Sequence, residues 1–409
     1  MNTVTVYIDR SYLLQKSKYL VRFDFRTNED FNRFCEVTEI EKREDDASMI
    51  EIIGLHSTKP IMEDAYYTLN LEAFRQFMSF SRDTQAVAGR VNADMMLREG
   101  ILIGFNAEGW NGDAALFSPH EPFNDAIKPE GISFDSPDIQ RLPFLRSPLE
   151  LRVNNVGQGN WNEIRGINGH VLVVYDIGAS IFEPRDQTRA LSKSLVKDYD
   201  ATTPVLVLSH WDFDHYGALL GLPDEKLSMF SRFICPKVVL ARTIEKVYNR
   251  MNRVLGKENI TILNSPYMPN DASPLHKNDM ISSSNVSLYM GSSLRKRNHG
   301  GIGLFITGEH KTVSLTGDYL LSQAEFMANN ETPNLPNVLI VPHHGGKCEV
   351  DDRHYNVNPQ CKLAIISSGK NPYGHPSGVV MDYLHNGLHL VVKRTDELDN
   401  QTRYISEPL

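Results

Sequence analysis

The sequence predicts a mixed α/β molecule in which a layered sheet-and-helix domain follows a smaller N-terminal α+β domain. Three observations carry that expectation. From residue 148 onward, apolar residues fall in short, nearly continuous runs: VLVVY at 171–175, VLVL at 205–208, VLIV at 338–341 and AII at 364–366. Such runs fit strands buried on both faces, which need helices outside the sheet. Each run ends in a polar cluster: Asp176 with Gly178, Ser209 with His210, His343 with His344, and Ser367 to Gly369. Polar clusters repeated at strand ends are how layered α/β folds build a site on one rim. Upstream the pattern differs: TVTVYI and YLVRFDF alternate like half-buried strands, while NEDFNRFCEV and NLEAFRQFMSF have helical spacing.

The junction between the two patterns is rich in proline. Residues 118–148 contain six prolines and little periodicity, the signature of a linker or an irregular wrap. We therefore divide the chain into an α+β domain at 1–117, a proline-rich linker at 118–147 and a second domain at 148–409. No internal repeat and no low-complexity tract is visible.

Composition narrows the function classes. With 409 residues, 41% hydrophobic and 23% charged, the chain is neither disordered nor fibrous. No apolar run approaches the roughly 18 residues of a membrane helix, and the N-terminus reads as a strand, not a targeting peptide. The expectation is a cytoplasmic protein with no membrane partner. Cys35, Cys235, Cys348 and Cys361 are scattered without a CxxC pair, which excludes a disulfide scaffold and a cysteine zinc finger. They read as small core residues.

Net charge is −9, a poor overall match for a nucleic-acid binder, but the charge is uneven. Residues 1–147 carry 16 basic and 24 acidic residues, whereas 226–311 carry 13 basic and 5 acidic. A basic sector thus sits inside an acidic protein. It includes Lys237, Arg242, Lys246, Arg250, Arg253 and Lys257, a row that reads either as a phosphate-tracking face or as an ordinary solvated helix face.

The strongest chemical signal is SHWDFDHYGAL, where His210, Asp212, Asp214 and His215 form H-x-D-x-D-H directly after a buried strand. A chain turning there lets alternate side chains converge on one or two metal ions. Four ligand-type groups in six residues would otherwise repel or stay unpaired. The competing reading is a helix N-cap or a solvated turn.

The segment resembles the metal-binding motif of the metallo-β-lactamase-fold hydrolases, and most of all the branch typified by the hydrolase domain of the DNA-uptake protein ComEC. In that branch too an Asp stands where the wider family has the second His, as Asp212 does here. Flanking segments agree in order and spacing. NNVGQGNWNEI at 154–164 is similar to the branch's VGQGD strand, VVYDIGAS supplies Asp176, and SLTGD supplies Asp318, the usual bridging carboxylate. VPHHGG at 341–346 and SSGKNPYGHPS at 367–377 resemble the last two motifs. The resemblance covers about residues 148 to 395 and implies an αββα sandwich.

It also implies a ligand set. His210, Asp212, Asp214, His215, Asp318 and His343 are the expected metal ligands, and His375 is either a ligand or a substrate contact. Asp214 and Asp176 are expected to be catalytic, Asp176 by orienting the His/Asp cluster, unless it merely caps the following turn. Adjacent side chains leaving a strand diverge, so only one of His343 and His344 is expected to face the metal, His343 being preferred and His344 left to substrate or packing. His299 lies 19 residues before Asp318, where the wider family has a ligand and this branch has Asn. It is carried as a ligand, the alternative being a loop histidine. Asn160 replaces the Asp of VGQGD.

An oxygen-rich set of this kind suits Mn²⁺ as well as Zn²⁺. Two such ions would hold a bridging hydroxide and the oxygens of a phosphodiester. Arg295, Lys296 and Arg297, immediately before His299, would bring positive charge to the rim, and Asn371 joins them as a substrate contact. The preferred reading is a soluble binuclear phosphodiesterase, a nuclease acting on DNA or RNA. The alternatives are a hydrolase of a small phosphodiester, such as a cyclic nucleotide, or of another small ester, and a non-catalytic regulatory protein. The acidic N-terminal domain is the expected surface for a protein partner.

Overall fold

The computed structural model describes residues 2–15, 17–40, 49–88, 97–98, 102–106, 116–119, 142–180, 185–239, 241–264, 275–279, 281–291, 301–329, 331, 334–346, 360–371, 373–399 and 402–409. The chain divides into two compact units, Met1–Pro129 with Val238–Asn249, and Glu130–Lys237 with Arg250–Leu409. The first unit therefore takes a short segment from within the later sequence, which a linear reading does not anticipate.

The first unit is built on one seven-stranded sheet. Its strands are β1 (Thr3–Gln15), β2 (Lys18–Phe25), β3 (Met49–His56), β4 (Ala65–Asn70), β5 (Leu97–Arg98), β6 (Leu102–Asn106) and β7 (Phe117–Pro119), in the order β5-β6-β3-β2-β1-β4-β7. Helices α1 (Asn28–Thr38) and α2 (Leu71–Ala88) have the predicted spacing. Thr27 caps α1 by accepting from the Asp30 amide, and Glu29 and Asp30 complement the helix dipole. A run of edge-to-face and tilted aromatic contacts, Phe25, Phe34, Phe74 and Phe23, joins both helices to the sheet.

The second unit contains two more seven-stranded sheets. One comprises β8 (Glu150–Asn154), β9 (Asn162–Arg165), β10 (Val171–Tyr175), β11 (Val205–Val207), β12 (Arg232–Pro236), β13 (Ile260–Leu263) and the late strand β21 (Tyr404–Pro408), ordered β13-β12-β11-β10-β9-β8-β21. The other runs in chain order from β14 (Leu275–Lys277) through β15 (Val286–Gly291), β16 (Ile302–Thr307), β17 (Thr312–Leu315), β18 (Asn337–Ile340) and β19 (Cys361–Ile366) to β20 (Val391–Arg394). In each sheet a parallel stretch, β10 to β13 and β17 to β20, continues an antiparallel one.

These two sheets face each other. Val153, Ile164, Val173, Val205 and Ile234 of the first and Leu288, Leu304, Val313, Val338 and Ile365 of the second belong to one buried cluster. On the outer side of the second sheet, Leu339, Val341, Ala364 and Ile366 meet Ala324 of α7 (Leu321–Asn329) and Val380 of α8 (Gly378–Asp382). On the outer side of the first sheet, the alternating residues Val174, Leu206 and Phe233 are fully buried. Helix α3 (Arg185–Leu195) precedes Tyr199, whose ring meets Phe230, and Trp211 meets Phe233. Short helices α4 (Phe213–Tyr216) and α5 (Asp224–Leu227) follow β11, and α6 (Arg242–Leu255) follows β12. The layering is an αββα sandwich, the arrangement that the resemblance of the motifs implies, and the N-terminal unit is a separate α+β body.

The sandwich brings the C-terminal ends of β10, β11, β17, β18 and β19 to one rim. There the Ile302 amide donates to the Ser209 carbonyl at 2.8 Å, and the His343 amide to the Gly317 carbonyl at 3.1 Å. Cys35, Cys235 and Cys361 are buried thiols, as expected of core residues, and Cys348 lies outside the described residues. Among the described residues, no helix is long and apolar enough to cross a membrane.

Candidate metal centre

Asp176 leaves β10 in the left-handed conformation, φ 62°, and is fully buried. Its Oδ1 accepts the Ser209 amide at 2.7 Å. Its Oδ2 accepts Asn160 Nδ2 at 2.8 Å, the Ser209 hydroxyl at 2.9 Å and His215 Nδ1 at 2.8 Å. None of these bonds caps the turn after β10. The carboxylate instead holds the next strand end and turns His215 so that its Nε2 points away from Asp176.

Asp212 occupies the cap position of α4, yet its side chain makes no capping bond. Its Oδ2 lies 3.6 Å from His210 Nε2. Two and three residues on, Asp214 and His215 belong to α4 itself. Two glycines let this segment settle. A Cβ on Gly178 would stand 1.8 Å from the Asp214 carbonyl oxygen, and one on Gly159 would stand 3.1 Å from it. The Asn160 amide donates to that same carbonyl at 2.8 Å.

Asp318 enters from the end of β17 through Gly317, φ 54°, whose missing side chain leaves room for Ser209. Its Oδ1 is 3.0 Å from His215 Nε2. Its Oδ2 is 3.5 Å from His210 Nε2 and 3.4 Å from His343 Nδ1. On the far side, Asp214 Oδ2 lies 3.4 Å from His344 Nε2, and His344 Nδ1 is fixed at 2.8 Å by the Ser367 carbonyl. Two overlapping triads result, His210–His215–Asp318 and Asp214–His215–His344, each with ligand atoms within 4.8 Å of one another.

Both adjacent histidines thus reach carboxylates, where the sequence reading allowed only one. The cause is the backbone. His343 and His344 both have φ 53°, and Gly345 follows at 72°, so the chain leaves β18 through consecutive left-handed residues, not as an extended strand. Left-handed non-glycine residues cost about 1–3 kcal/mol each and persist only where the surroundings hold them. His344 is buried, whereas the His343 side chain is 24% exposed.

The His375 ring lies 5.2 Å from that of His343. Its loop is organised by Asn371, whose Nδ2 donates to Gln158 and to the Gly369 and His375 carbonyls, while its Oδ1 accepts the Tyr373 and His375 amides. Asn371, expected to touch substrate, commits its amide to this loop. His299, Arg295, Lys296 and Arg297 lie outside the described residues.

Buried nitrogens test whether these residues fit a cation. Nε2 of His210, His215 and His344 makes no hydrogen bond although each ring is buried. Buried polar atoms are normally satisfied, and here all three point at carboxylates. Burial would raise the Asp318 carboxyl, but the charges of His343, His215 and His210 outweigh it and hold the group well below the usual range. Burial would likewise lower both motif histidines. Asp212 and Asp318 raise His210, and Asp318 and Asp176 raise His215 well above its ordinary value. The centre is a field that favours positive charge, and mixed imidazole and carboxylate donors suit a divalent ion.

The sequence reading named Ser209 and Ser367 only as polar strand ends and Asn160 only as the replacement for a motif Asp, and it did not single out Asn162. Asn160 Oδ1 accepts Asn162 Nδ2 at 2.7 Å and the Ser367 hydroxyl at 3.3 Å while its amide holds Asp176. All sit beside a recognised motif, but small polar residues carry no signal of their own.

Three arginines of the basic row on α6 bond within the protein. Arg250 donates to Asp224 at 2.6 Å and to the Leu219 and Leu222 carbonyls, and Arg253 donates to Asp224 at 2.8 Å. Arg242 lies 4.3 Å over the Phe31 ring and donates to Asn28.

No family model matches the chain, and comparison with curated proteins finds no relative. Among solved structures it is similar to CmlA, a diiron beta-hydroxylase from Streptomyces venezuelae, at 13% identity over 97% of this chain and 70% of that one, with a TM-score of 0.36. A likeness of that size says nothing about chemistry, which rests on the centre's own geometry.

Proposed function

We propose that the chain is a binuclear metal-dependent hydrolase of phosphodiesters, with a nucleic acid as its substrate. The carrying observation is the pair of buried triads that share His215, with three unbonded Nε2 atoms aimed at the carboxylates. His210, Asp212 and Asp318 would hold one ion, with His299 as a further ligand, and Asp214, His215, His344 and Asp318 the other. When bound, two Zn²⁺ or Mn²⁺ ions would supply an activated water and offset the charge that develops on the attacking and leaving oxygens. His343 and His375, at the more open edge, would meet the substrate. Asp176 orients the donors and does not touch the reacting atoms, since donors already fill both of its oxygens. The ComEC-type likeness of the motifs supports phosphodiester chemistry, and Arg295, Lys296 and Arg297 beside His299 support a polyanionic substrate.

A small phosphodiester is the second reading. The pairing of Arg250 and Arg253 with Asp224 and the net charge of −9 favour it, because they reduce the net positive charge offered to a backbone. The test is to load the protein with Zn²⁺ or Mn²⁺ and assay bis(p-nitrophenyl) phosphate, single-stranded DNA, duplex DNA and RNA. We expect cleavage of the chromogenic diester and of a polynucleotide. Changing Arg295, Lys296 and Arg297 to Ala should flatten the salt dependence of polynucleotide binding by roughly one log-log unit for each phosphate that is no longer neutralised. Cleavage of the chromogenic diester alone would favour the second reading. No cleavage of any substrate by protein that holds two ions would overturn both.

A further inference from the structure

We propose that Ser209 is a positioning residue that carries the acceptor power of Asp176 to His210, so that one buried carboxylate fixes the ring orientation of both motif histidines. This rests on the binuclear reading and deepens it. The hydrogens available on each group decide the direction of every bond. An ionised carboxylate only accepts, so each of the three partners of Asp176 Oδ2, namely Asn160, Ser209 and His215, must donate to it. Ser209 has one hydroxyl hydrogen, and that bond uses it. His210 Nδ1 stands 2.9 Å from the same hydroxyl oxygen, which has only lone pairs left, so His210 Nδ1 must carry the proton.

The consequence falls on the other side of the ring. With its proton at Nδ1, neutral His210 turns a bare Nε2 toward Asp212 and Asp318, at 3.6 and 3.5 Å. A lone pair facing two carboxylates is repelled unless a cation lies between them. His215 reaches Asp176 directly and needs no intermediary, since its Nδ1 is 2.8 Å from Oδ2 and 3.1 Å from Ser209. The arrangement is asymmetric. Removing the hydroxyl should disturb only the ion that His210 holds, whereas removing the carboxylate should disturb both. The absent Cβ of Gly317, which would stand 2.9 Å from Ser209 Oγ, keeps that hydroxyl in place.

The experiment is a Zn²⁺ titration of metal-free full-length protein, with Co²⁺ absorption to follow each ion. Wild type should bind two ions. Ser209→Ala should retain one ion at wild-type affinity and bind the other roughly 10- to 100-fold more weakly, the usual cost of removing an outer partner of a ligating His. Ser209→Thr, which keeps the hydroxyl, should restore the second ion, and Asp176→Asn should weaken both. In the double variant, Ser209→Ala should add little to Asp176→Asn, since it acts through the same carboxylate. Should Ser209→Ala fail to fold, a long-range ¹⁵N correlation on Zn²⁺-loaded wild type and Ser209→Thr decides by whether His210 carries its proton at Nδ1. Equal affinity for both ions in Ser209→Ala, threonine as weak as alanine, or a proton at Nε2 would overturn the proposal. Wild type that binds no ion would instead overturn the binuclear reading.

Discussion

A carboxylate buried without donors is costly, and Asp176 and Asp214 meet that cost differently. Asp176 receives four donors and is a fixed part of the scaffold. Asp214 Oδ2 faces the His344 Nε2 edge at 3.4 Å, and it is the Asp214 carbonyl that anchors the loop. We therefore expect Asp214→Ala to leave folding largely intact while lowering hydrolysis by at least about 100-fold, through loss of a ligand. Near wild-type turnover in folded protein would remove Asp214 from the chemistry. Elsewhere, burial pushes the Asp24 carboxyl up to about 7, against the Thr243 and Phe25 bonds and the Arg242 charge that lower it. A carboxyl whose folded value is raised favours folding while protonated. The native state should therefore be most favoured below about pH 4 on this account and lose up to about 4 kcal/mol as pH rises through 7. Asp24→Asn should flatten unfolding curves measured between pH 5 and 7.5, and an unchanged slope would contradict the assignment.

At the level of elements, the glycines are as informative as the ligands. Gly178→Ala would drive a methyl into the Asp214 carbonyl, 1.8 Å away. The loop must move, so thermal unfolding should reveal a loss of about 1–3 kcal/mol together with weaker metal binding. On α6 the expectation is reversed. Arg250→Ala breaks bonds to Asp224, Leu219 and Leu222, so it should cost about 1–2 kcal/mol of stability and leave the salt dependence of polynucleotide binding unchanged. A fall in salt slope without loss of stability would return α6 to the substrate surface. Much of this architecture was legible in the chain. The runs at 171–175, 205–208, 338–341 and 364–366 are β10, β11, β18 and β19, and their polar ends meet at the rim. Backbone hand was not legible. Nothing in the letters HHGG announces consecutive left-handed residues, and an extended continuation made His344 look outward.

For the molecule as a whole, pairings that span the sequence escaped the linear reading. Val238–Asn249 belongs with the N-terminal unit, where the Thr243 amide donates to Asp24 at 2.7 Å, although it lies more than 200 residues downstream. Periodicity reports which face of an element is buried, not which unit buries it. Among the described residues, both candidate ligand groups lie in the second unit. The central claim is that the rim holds two divalent cations, and elemental analysis of folded protein after Zn²⁺ or Mn²⁺ loading and removal of free metal tests it most directly. The geometry predicts close to two ions per chain, falling to about one in Asp214→Ala. Fewer than one ion per correctly folded chain would contradict it.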